Sequence, residues 1–318
     1  MVKFGILGCG SIARRMADAL QKCESAELIA VAARDYSRAA AFAAQNGAKR
    51  AYGSYEELVQ DADVDAVYVA TIHPNHAASV ALCLNAGKAV LCEKPLGMTR
   101  AEGEAMFALA REKKLLLMEA MWTRCLPAWR KAKELIDAGA IGQVKTVFTD
   151  YTFLAGFDPE SRLFNIEKGG GGMLDVGVYS LHCALSVLGT DIKSVQVAGR
   201  RSPTGSDCYA VITLSFGNGA IAVASCGMDC FGSTCEGRIM GESGVLILPG
   251  MSGADTCILR RAGQPDETYH FPCENSFIYE VEEFCRLFKA GETESSLVPP
   301  AHSLEVAGII DAAMAKLE

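Results

Sequence analysis

The 318-residue sequence contains no run of lysine and arginine, and its formal net charge is −8. Proteins that bind nucleic acid normally carry a basic patch, so we expect no nucleic-acid partner. The sequence also shows no apolar run of the roughly 18 residues that a membrane-spanning helix requires. The apolar start of the chain is too short for a signal peptide. We therefore expect a cytoplasmic protein without a membrane segment.

Common catalytic and metal-binding patterns are also missing. The 13 cysteines include no Cys-x-x-Cys pair, and no Gly-x-Ser-x-Gly motif occurs. The one loose group, Cys226, Cys230 and Cys235, lacks the spacing of a zinc site. We predict that most of the thiols are buried apolar side chains of a protein in a reducing compartment, and that no metal is bound.

The first part of the sequence alternates short apolar segments with helical ones. Continuous apolar segments are typical of strands buried in a parallel sheet. The series therefore predicts an α/β fold with a doubly wound parallel sheet, the Rossmann arrangement. The predicted strands are Lys3–Leu7, Glu27–Ala33, Ala66–Ala70, Ala89–Cys92 and Leu115–Glu119, and the predicted helices are Ile12–Gln21, Ser37–Asn46, Tyr55–Gln60, Asn75–Ala86 and Arg100–Lys113.

The pattern changes near Met121, where strand-like segments begin to follow one another directly. The turn Gly217-Asn218-Gly219 predicts a hairpin. We predict a second, α+β domain with a mostly antiparallel sheet, and we place the two domains at residues 1–121 and 122–318. The predicted strands are Val144–Phe153, Ile192–Gly199, Cys208–Phe216, Ala220–Cys226, Gly237–Met240, Val245–Leu248, Thr256–Arg261 and Glu267–Phe271, and the predicted helices are Pro127–Ala138, Met173–Leu188, Ser276–Lys289 and Ala301–Leu317.

A glycine-rich turn follows the first predicted strand. The segment Gly8-Cys9-Gly10-Ser11-Ile12-Ala13 fits the pattern G-x-G-x-x-A and opens a helix. Gly8 permits a tight turn, Gly10 lets the backbone approach a diphosphate, and the N-terminus of the helix attracts the negative charge. Its place at the start of a strand–helix series makes it a dinucleotide-binding motif, with Ser11 and Ile12 next to the phosphates.

The residues after the second strand predict which dinucleotide is bound. An acidic residue there would accept a hydrogen bond from the ribose 2′-hydroxyl of NAD, but Arg34 occupies the place. A guanidinium can hold a 2′-phosphate, and Arg38 adds a second positive charge. We favour NADP on this charge argument. Asp35 leaves NAD open, because its carboxylate could take the acidic role if Arg34 turned away.

Three further segments support a family resemblance. They are Thr71-Ile72-His73-Pro74-Asn75-His76, Cys92-Glu93-Lys94-Pro95-Leu96 and the glycine-rich segment Gly169–Tyr179. Together with the N-terminal motif, they resemble the Gfo/Idh/MocA oxidoreductase family over nearly the whole chain. The segments Glu119–Arg124 and Arg162–Asn165 are closest to one branch, that of the dimeric dihydrodiol dehydrogenases and NADP-dependent D-xylose dehydrogenases.

The resemblance implies roles for the residues at the strand ends. Thr71, His73, Asn75 and His76 should line the cofactor crevice, although Asn75 could equally cap the helix that follows. Glu93 should lie near the nicotinamide ribose. Lys94 follows a strand of the parallel sheet, where ligands bind, and can stabilise charge on a substrate oxygen. A solvent-exposed lysine is the alternative. In the family the peptide bond before Pro95 is often cis.

Two candidate residues follow the four glycines at 169–172. Asp175 and Tyr179 are four residues apart on a predicted helix and so share one face. A tyrosine oxygen can accept a proton from a substrate hydroxyl if its pKa falls, and Asp175 could orient the substrate or hold Lys94. Many family members carry histidine at the position of Tyr179, so either Lys94 or Tyr179 could be the main proton carrier. A half-buried packing role is the alternative for Tyr179.

Two residues complete the candidate substrate site. Trp122 could wall the substrate pocket or pack in the core between the domains, and Arg162 could contact the substrate or the cofactor. The resemblance implies an NAD(P)-dependent dehydrogenase or reductase that acts on CH–OH groups of a sugar, polyol or trans-dihydrodiol. A non-catalytic dinucleotide sensor and an NAD-retaining glycosidase remain alternatives. The family resemblance also implies a homodimer or larger homo-oligomer that forms through the open face of the C-terminal sheet.

Overall fold

The computed structural model describes residues 1–231 and 235–317, which form two β-sheets and the helices that pack on them. The first sheet has six parallel strands in the order β3-β2-β1-β4-β5-β6. The order reverses between β1 and β4, and this crevice is where doubly wound sheets bind ligands. The strands are β1 (Val2–Leu7), β2 (Ala26–Ala32), β3 (Arg50–Tyr52), β4 (Ala66–Val69), β5 (Ala89–Glu93) and β6 (Leu117–Ala120).

Local sequence signals set the ends of the helices in this region. Ser54 and Thr99 accept hydrogen bonds from the amides of Glu57 and Glu102, which begins the helices that follow. Gly47 ends the second helix in the left-handed conformation, with φ 71°. The helices are α1 (Ser11–Lys22), α2 (Tyr36–Asn46), α3 (Tyr55–Val59), α4 (His76–Asn85) and α5 (Arg100–Lys113).

The second sheet has eight strands in the order β14-β13-β12-β11-β7-β10-β9-β8, and every pair except β7 with β10 is antiparallel. Exposure alternates along β9, as expected of a sheet with one buried face. The strands are β7 (Val144–Thr152), β8 (Ile192–Arg201), β9 (Asp207–Phe216), β10 (Ile221–Gly227), β11 (Gly237–Gly241), β12 (Gly244–Leu248), β13 (Thr256–Arg261) and β14 (Glu267–His270).

Two helices pack on one face of the second sheet: α6 lies on β12–β14, and α7 lies on β7 and β10. The chain closes with two more helices, and α9 is tied to β8 by the bond from the Lys316 ammonium to the Val195 carbonyl (2.8 Å). These helices are α6 (Pro127–Asp137), α7 (Val178–Leu188), α8 (Ile278–Ala290) and α9 (Pro300–Lys316). The predicted fold class, with its parallel and mostly antiparallel sheets, is confirmed.

Three local predictions were wrong or incomplete. The short strand β3 was missed, because three residues are too few to show a pattern. The helix expected from Asn75 begins earlier, as a 3₁₀ turn over His73–Asn75. The helix expected from Met173 begins as a π-helical turn over Met173–Gly177, and α7 follows it.

The described chain divides into two compact units. The first is Met1–Trp122 with Glu274–Pro300, and the second is Thr123–Cys273 with the described residues from Ala301 onwards. The helix α8 therefore belongs to the first unit, whereas the sequence placed all residues after 121 in one domain. The chain returns to the first unit because α8 packs against α1 and β2.

One stretch of the described residues is long and apolar enough to cross a membrane by length and composition alone. This stretch is Ile166–Leu188, and 78% of its most apolar window is buried inside the structure. The expectation that no segment reaches this length was therefore wrong. Its burial against β7 and β10 is that of a core helix of the second unit.

Candidate active site

The glycine turn joins β1 to α1 at the crevice of the first sheet. Gly8 has φ 96°, and a Cβ there would lie 2.5 Å from the carbonyl oxygen of Ala70. Only glycine fits this position. A Cβ at Gly10 would meet no atom of the described residues within 4 Å, and Gly10 is the N-cap of α1, which therefore has no side-chain cap. The helix start is thus open, with exposed Gly10 and Ser11, and suits a diphosphate.

The residues after β2 form an exposed, positively charged corner. Arg34 and Arg38 are exposed, and neither forms an ion pair with any described residue. Both charges act on the phenol of Tyr55, whose pKa is raised mainly by burial. The Asp35 carboxylate accepts the Ser37 amide at 2.8 Å and caps α2. This hydrogen bond turns Asp35 to the helix and leaves the two guanidinium groups for a ligand.

The segment after β4 combines the polar residues expected at the crevice. Among the described residues, the buried Thr71 hydroxyl has no hydrogen-bond partner. Asn75 is exposed and occupies the cap position of α4, but its side chain makes no cap bond, so the capping alternative was wrong. The rings of His73 and His76 meet edge to face at 5.7 Å, and both residues are buried.

His76 links this segment to the turn after β5. Its Nδ1 lies 2.8 Å from the Pro95 carbonyl oxygen, and its Nε2 lies 3.1 Å from that of Thr71. Burial lowers the pKa of His76 below its ordinary value. A neutral ring donates from one nitrogen only, so it donates to one of the two carbonyls at a time. His76 thereby fixes the distance between two strand ends.

The turn after β5 carries Lys94 and is held on both sides. The Lys94–Pro95 peptide bond is cis, as the resemblance implied. The Glu93 carboxylate accepts the Lys94 amide at 3.1 Å, and the Glu119 carboxylate accepts the Leu96 amide at 3.0 Å. Lys94 itself is half-buried. The backbone on either side of the lysine therefore has little freedom to move.

Glu93 lies in a buried polar cluster below this turn. The Tyr68 hydroxyl donates a short hydrogen bond to the other oxygen of Glu93, and both residues are buried. Burial raises the pKa of Glu93, while the ammonium of Lys94 acts in the opposite direction. No role was predicted for Tyr68 or Glu119 from the sequence. Their places at the carboxyl ends of β4 and β6, beside β5, were the signal that could have identified them.

The second unit holds the other candidate residues. Asp175 lies in the π-helical turn and accepts a hydrogen bond from the guanidinium of Arg162 at 2.8 Å. Tyr179 is the second residue of α7, and its ring lies 5.7 Å from that of Tyr151. Asp175 and Tyr179 are buried, whereas the side chain of Arg162 is half-exposed. The structure thus brings Arg162 and Asp175 together as an ion pair.

Trp122 is packed within the first unit. Its ring lies 5.1 Å from that of Phe277, and the guanidinium of Arg15 lies 4.6 Å from the indole. The residue is 7% exposed. These contacts indicate that Trp122 packs in the core of the first unit. They count against its role as a wall of the substrate pocket.

The cysteines form no metal site in the described parts of the chain. No group of three or more histidine, cysteine, aspartate or glutamate residues there could hold a metal ion. Cys230 lies near Arg200, and Cys235 contacts the Ser252 hydroxyl at 3.4 Å. All 13 cysteines are free thiols, and most are buried.

The residues of the first unit fit a nicotinamide dinucleotide. The open space at Gly10 and the uncapped start of α1 lie at the crevice, at the carboxyl ends of the adjacent strands β1 and β4. The Thr71 hydroxyl, which has no partner among the described residues, follows β4 at the same edge. Helix starts of this kind hold phosphates through backbone amides.

Comparison with known proteins agrees with this geometry. Residues 2–121 match the family model described as "Oxidoreductase family, NAD-binding Rossmann fold", and residues 129–247 match the "GFO/IDH/MocA C-terminal domain". The chain is 37% identical to trans-1,2-dihydrobenzene-1,2-diol dehydrogenase of Danio rerio, over 98% of this chain and 96% of the relative.

Two solved structures resemble the whole fold. A 3-ketoreductase from Actinomadura kijaniata, in complex with NADP and TDP-benzene, has a TM-score of 0.87 and 28% identity, covering 100% of this chain and 98% of its own. An aldose–aldose oxidoreductase from Caulobacter crescentus, complexed with glycerol, has a TM-score of 0.87 and 26% identity, covering 98% and 96%. The chain is an NAD(P)-binding oxidoreductase and belongs to the Gfo/Idh/MocA family.

Proposed function

We propose that the chain is an NADP-dependent dehydrogenase or reductase that acts on a CH–OH group of a small sugar, polyol or trans-dihydrodiol. The observation that carries the proposal is the fixed turn after β5, in which Glu93, His76 and Glu119 hold the backbone around Lys94. A lysine held in this way at the ligand-binding edge of a parallel sheet suits catalysis better than a solvent-exposed role. The names of the relatives support the substrate class.

The cofactor preference rests on the corner after β2. Arg34 and Arg38 are exposed, and Asp35 is engaged as a helix cap. A 2′-phosphate would gain two guanidinium partners, whereas a 2′-hydroxyl would lack a carboxylate acceptor there. We assign the phosphates to the Gly8–Ile12 turn. Further cofactor contacts are assigned to Thr71, His73, Asn75, His76, Glu93 and Lys94.

The proton is handled by Lys94 or Tyr179. When bound, the nicotinamide supplies hydride transfer to or from the reacting carbon. In the oxidation direction, the Tyr179 oxygen or the Lys94 amine takes the hydroxyl proton, and in reduction it returns the proton. Asp175 orients the substrate hydroxyls, and Arg162 holds Asp175 through their ion pair. Under this proposal residues 1–121 bind the cofactor and residues 122–318 supply most of the substrate contacts.

A substrate screen with paired variants tests the proposal. NADP⁺ reduction is measured against aldoses, polyols and trans-dihydrodiols, and NADPH oxidation against diketones. We expect Lys94→Ala and Tyr179→Phe to lower kcat by about 100-fold or more, as for loss of a general acid or base. Lys113→Ala and Tyr269→Phe, at exposed and half-exposed positions away from these residues, are the matched controls. Normal turnover by both test variants would refute the proton-transfer assignment.

The open face of the second sheet supports a homodimer. Ile221 and Met240 both pair with Thr146, and Phe148 lies two residues further along β7, so all three apolar side chains share one face. They are 43%, 37% and 40% exposed, on three adjacent strands. Exposed apolar patches of this kind mark interfaces. Sedimentation of Phe148→Glu should give a smaller species than wild type, and unchanged mass would refute the dimer.

The free thiols support a cytoplasmic location. None of the 13 cysteines is in a disulfide, which is typical of proteins kept in a reducing compartment. Cell fractionation tests this location, and recovery with a secreted or membrane fraction would contradict it.

A further inference from the structure

A buried carboxylate that the sequence did not single out lies at the start of the π-helical turn. Asp207 is the first residue of β9 and is 1% exposed. Its Oδ2 accepts the amide of Met173 at 2.7 Å, and its carboxylate also accepts the amide of Gly172. These amides begin the segment that carries Asp175, so Asp207 acts on the helix start from a neighbouring strand.

The glycines at this point make room for Asp207. A Cβ at Gly171 would overlap Oδ1 of Asp207, and a Cβ at Gly172 would lie 3.2 Å from Oδ2. Gly171 also has φ 141°, which other residues rarely adopt. The group that approaches the backbone of these glycines is therefore the Asp207 carboxylate.

The anchored segment leads directly to the proposed catalytic residues. The Asp175 amide donates to the Gly171 carbonyl at 3.0 Å, so the position of Asp175 depends on the glycine that packs on Asp207. Tyr179 follows two residues after the π-helical turn ends at Gly177. A shift of the turn would therefore move both side chains.

We propose that Asp207 is a positioning residue, which fixes the π-helical turn and through it the places of Asp175 and Tyr179. The proposal rests on the proposed function for its effect on turnover. The anchoring itself does not depend on that function and can be measured separately.

The surroundings of Asp207 determine its charge. Arg201 of β8 contributes a positive charge, and its guanidinium is held by the carbonyls of Gly205, Met314 and Leu317. The other titratable groups that interact with it are the thiols of Cys208, next to it in β9, and Cys226 of β10. Burial raises the pKa of Asp207 to about 6, against the effect of the Met173 amide, its own amide, Arg201 and the Gly172 amide.

Because its pKa is about 6, Asp207 changes charge within the pH range in which activity and hydrogen exchange can be measured. Above about pH 6 the ionised carboxylate accepts from both amides, and an ionised acceptor binds them more strongly than a neutral acid does. Below that pH the protonated carboxyl group of Asp207 accepts only weaker hydrogen bonds from the two amides. The amide bonds lower the pKa of Asp207, so an opening that breaks them while the carboxyl stays buried at the start of β9 binds a proton more readily. The anchoring of the turn should therefore loosen in acid while the rest of the second unit stays folded.

Asp207→Asn tests the proposal, because the amide is almost the same size but is uncharged and keeps only one oxygen that can accept from the backbone amides. We expect kcat to fall by about 100-fold, as for a small misplacement of reacting groups, with the Kd for NADPH unchanged. The acid limb of the wild-type pH profile near pH 6 should also disappear. Leu214→Ala, a core residue of the same strand, should lower Tm without lowering kcat. Wild-type kcat with an unchanged acid limb would overturn the proposal.

Hydrogen exchange of the wild-type protein tests the anchoring without activity or mutation. We expect the protection of the Gly172 and Met173 amides, corrected for the intrinsic rate, to fall about fivefold between pH 7.5 and 5. The amides of Phe107 and Ala110 in α5 serve as the reference. Equal protection at both pH values would overturn the proposal even if Asp207→Asn did not fold. Loss of protection in an enzyme that turned over none of the screened substrates would support the anchoring and count against the proposed function.

Discussion

A Cβ at Gly8 would lie 2.5 Å from the carbonyl oxygen of Ala70, which follows β4. The first glycine of the motif is therefore required by the protein's own backbone. Gly10 differs, because a Cβ there would meet nothing within 4 Å in the described part of the chain. Gly8 is thus required for folding, whereas we expect Gly10 to be required for binding of the cofactor.

We expect Gly10→Ala to leave the free energy of unfolding within about 0.5 kcal/mol of wild type, as is usual where no contact changes. Its methyl group would occupy the space assigned to the diphosphate, so the Kd for NADPH should rise by at least about tenfold. Gly8→Ala should instead lower the unfolding free energy by about 1–3 kcal/mol, through its positive φ and the contact with Ala70. Denaturant titration and NADPH fluorescence measure the two effects. Unchanged NADPH affinity in Gly10→Ala would contradict the phosphate assignment.

The cofactor preference should depend on Arg34. Loss of a hydrogen bond to a charged group weakens binding by about 1.5–3 kcal/mol, so Arg34→Ala should raise the KM for NADPH by about 10- to 100-fold. The KM for NADH should change little, because NADH has no 2′-phosphate. Asp35→Ala is the control: it removes the cap of α2, at a cost of about 1 kcal/mol in stability, and should not change the ratio of the two KM values. A parallel rise in both KM values would show that Arg34 does not recognise the 2′-phosphate.

Much of the fold could be predicted because buried strands and helix caps leave local signals. The predicted helix Arg100–Lys113 has the bounds of α5, and Thr99 caps it as a threonine at that position should. The hairpin at 217–219 is also confirmed, since β9 and β10 pair on either side of it. The glycine motif was recognisable because its strand, its glycine turn and its helix follow one another directly in the sequence.

The remaining features depend on residues that are distant in sequence. Asp207 reaches the amide of Met173 across 34 positions, and Glu119 reaches Leu96 across 23. Periodicity describes neighbours on one element and contains no information about such pairs. The π-helical turn and the return of α8 to the first unit have the same cause, since packing rather than local propensity decides them.

His76 should act on turnover through the turn that carries Lys94. His76→Ala removes the ring between the Pro95 and Thr71 carbonyls and leaves them without this donor. We expect the unfolding free energy to fall by about 1–3 kcal/mol and kcat to fall at least tenfold. His270→Ala, at an exposed position in the second unit, should change neither. If His76→Ala lost stability but kept its kcat, the ring would hold the fold without positioning Lys94.

A buried carboxyl group without hydrogen-bond partners among the described residues lies in the first unit. Glu280 of α8 is 0% exposed, and neither of its oxygens has a hydrogen-bond partner among the described residues. Burial raises its pKa well above the ordinary value, and the nearby Glu93 carboxylate acts in the same direction. A buried group without partners favours its neutral form, so the folded protein holds a proton here that the unfolded chain releases.

The sign of the pH dependence follows from that proton. Between the unfolded pKa of about 4.3 and the raised folded pKa, the folded state binds more protons than the unfolded state, so the unfolding free energy falls as the pH rises. Glu280→Gln removes this contribution, and the stability of the variant relative to wild type should therefore increase from pH 4.5 to pH 8. The increase cannot exceed about 1.4 kcal/mol per pH unit. Urea titrations at several pH values measure it, with the exposed Glu112→Gln as control. Parallel pH profiles for wild type and Glu280→Gln would show that Glu280 is already ionised in the folded protein.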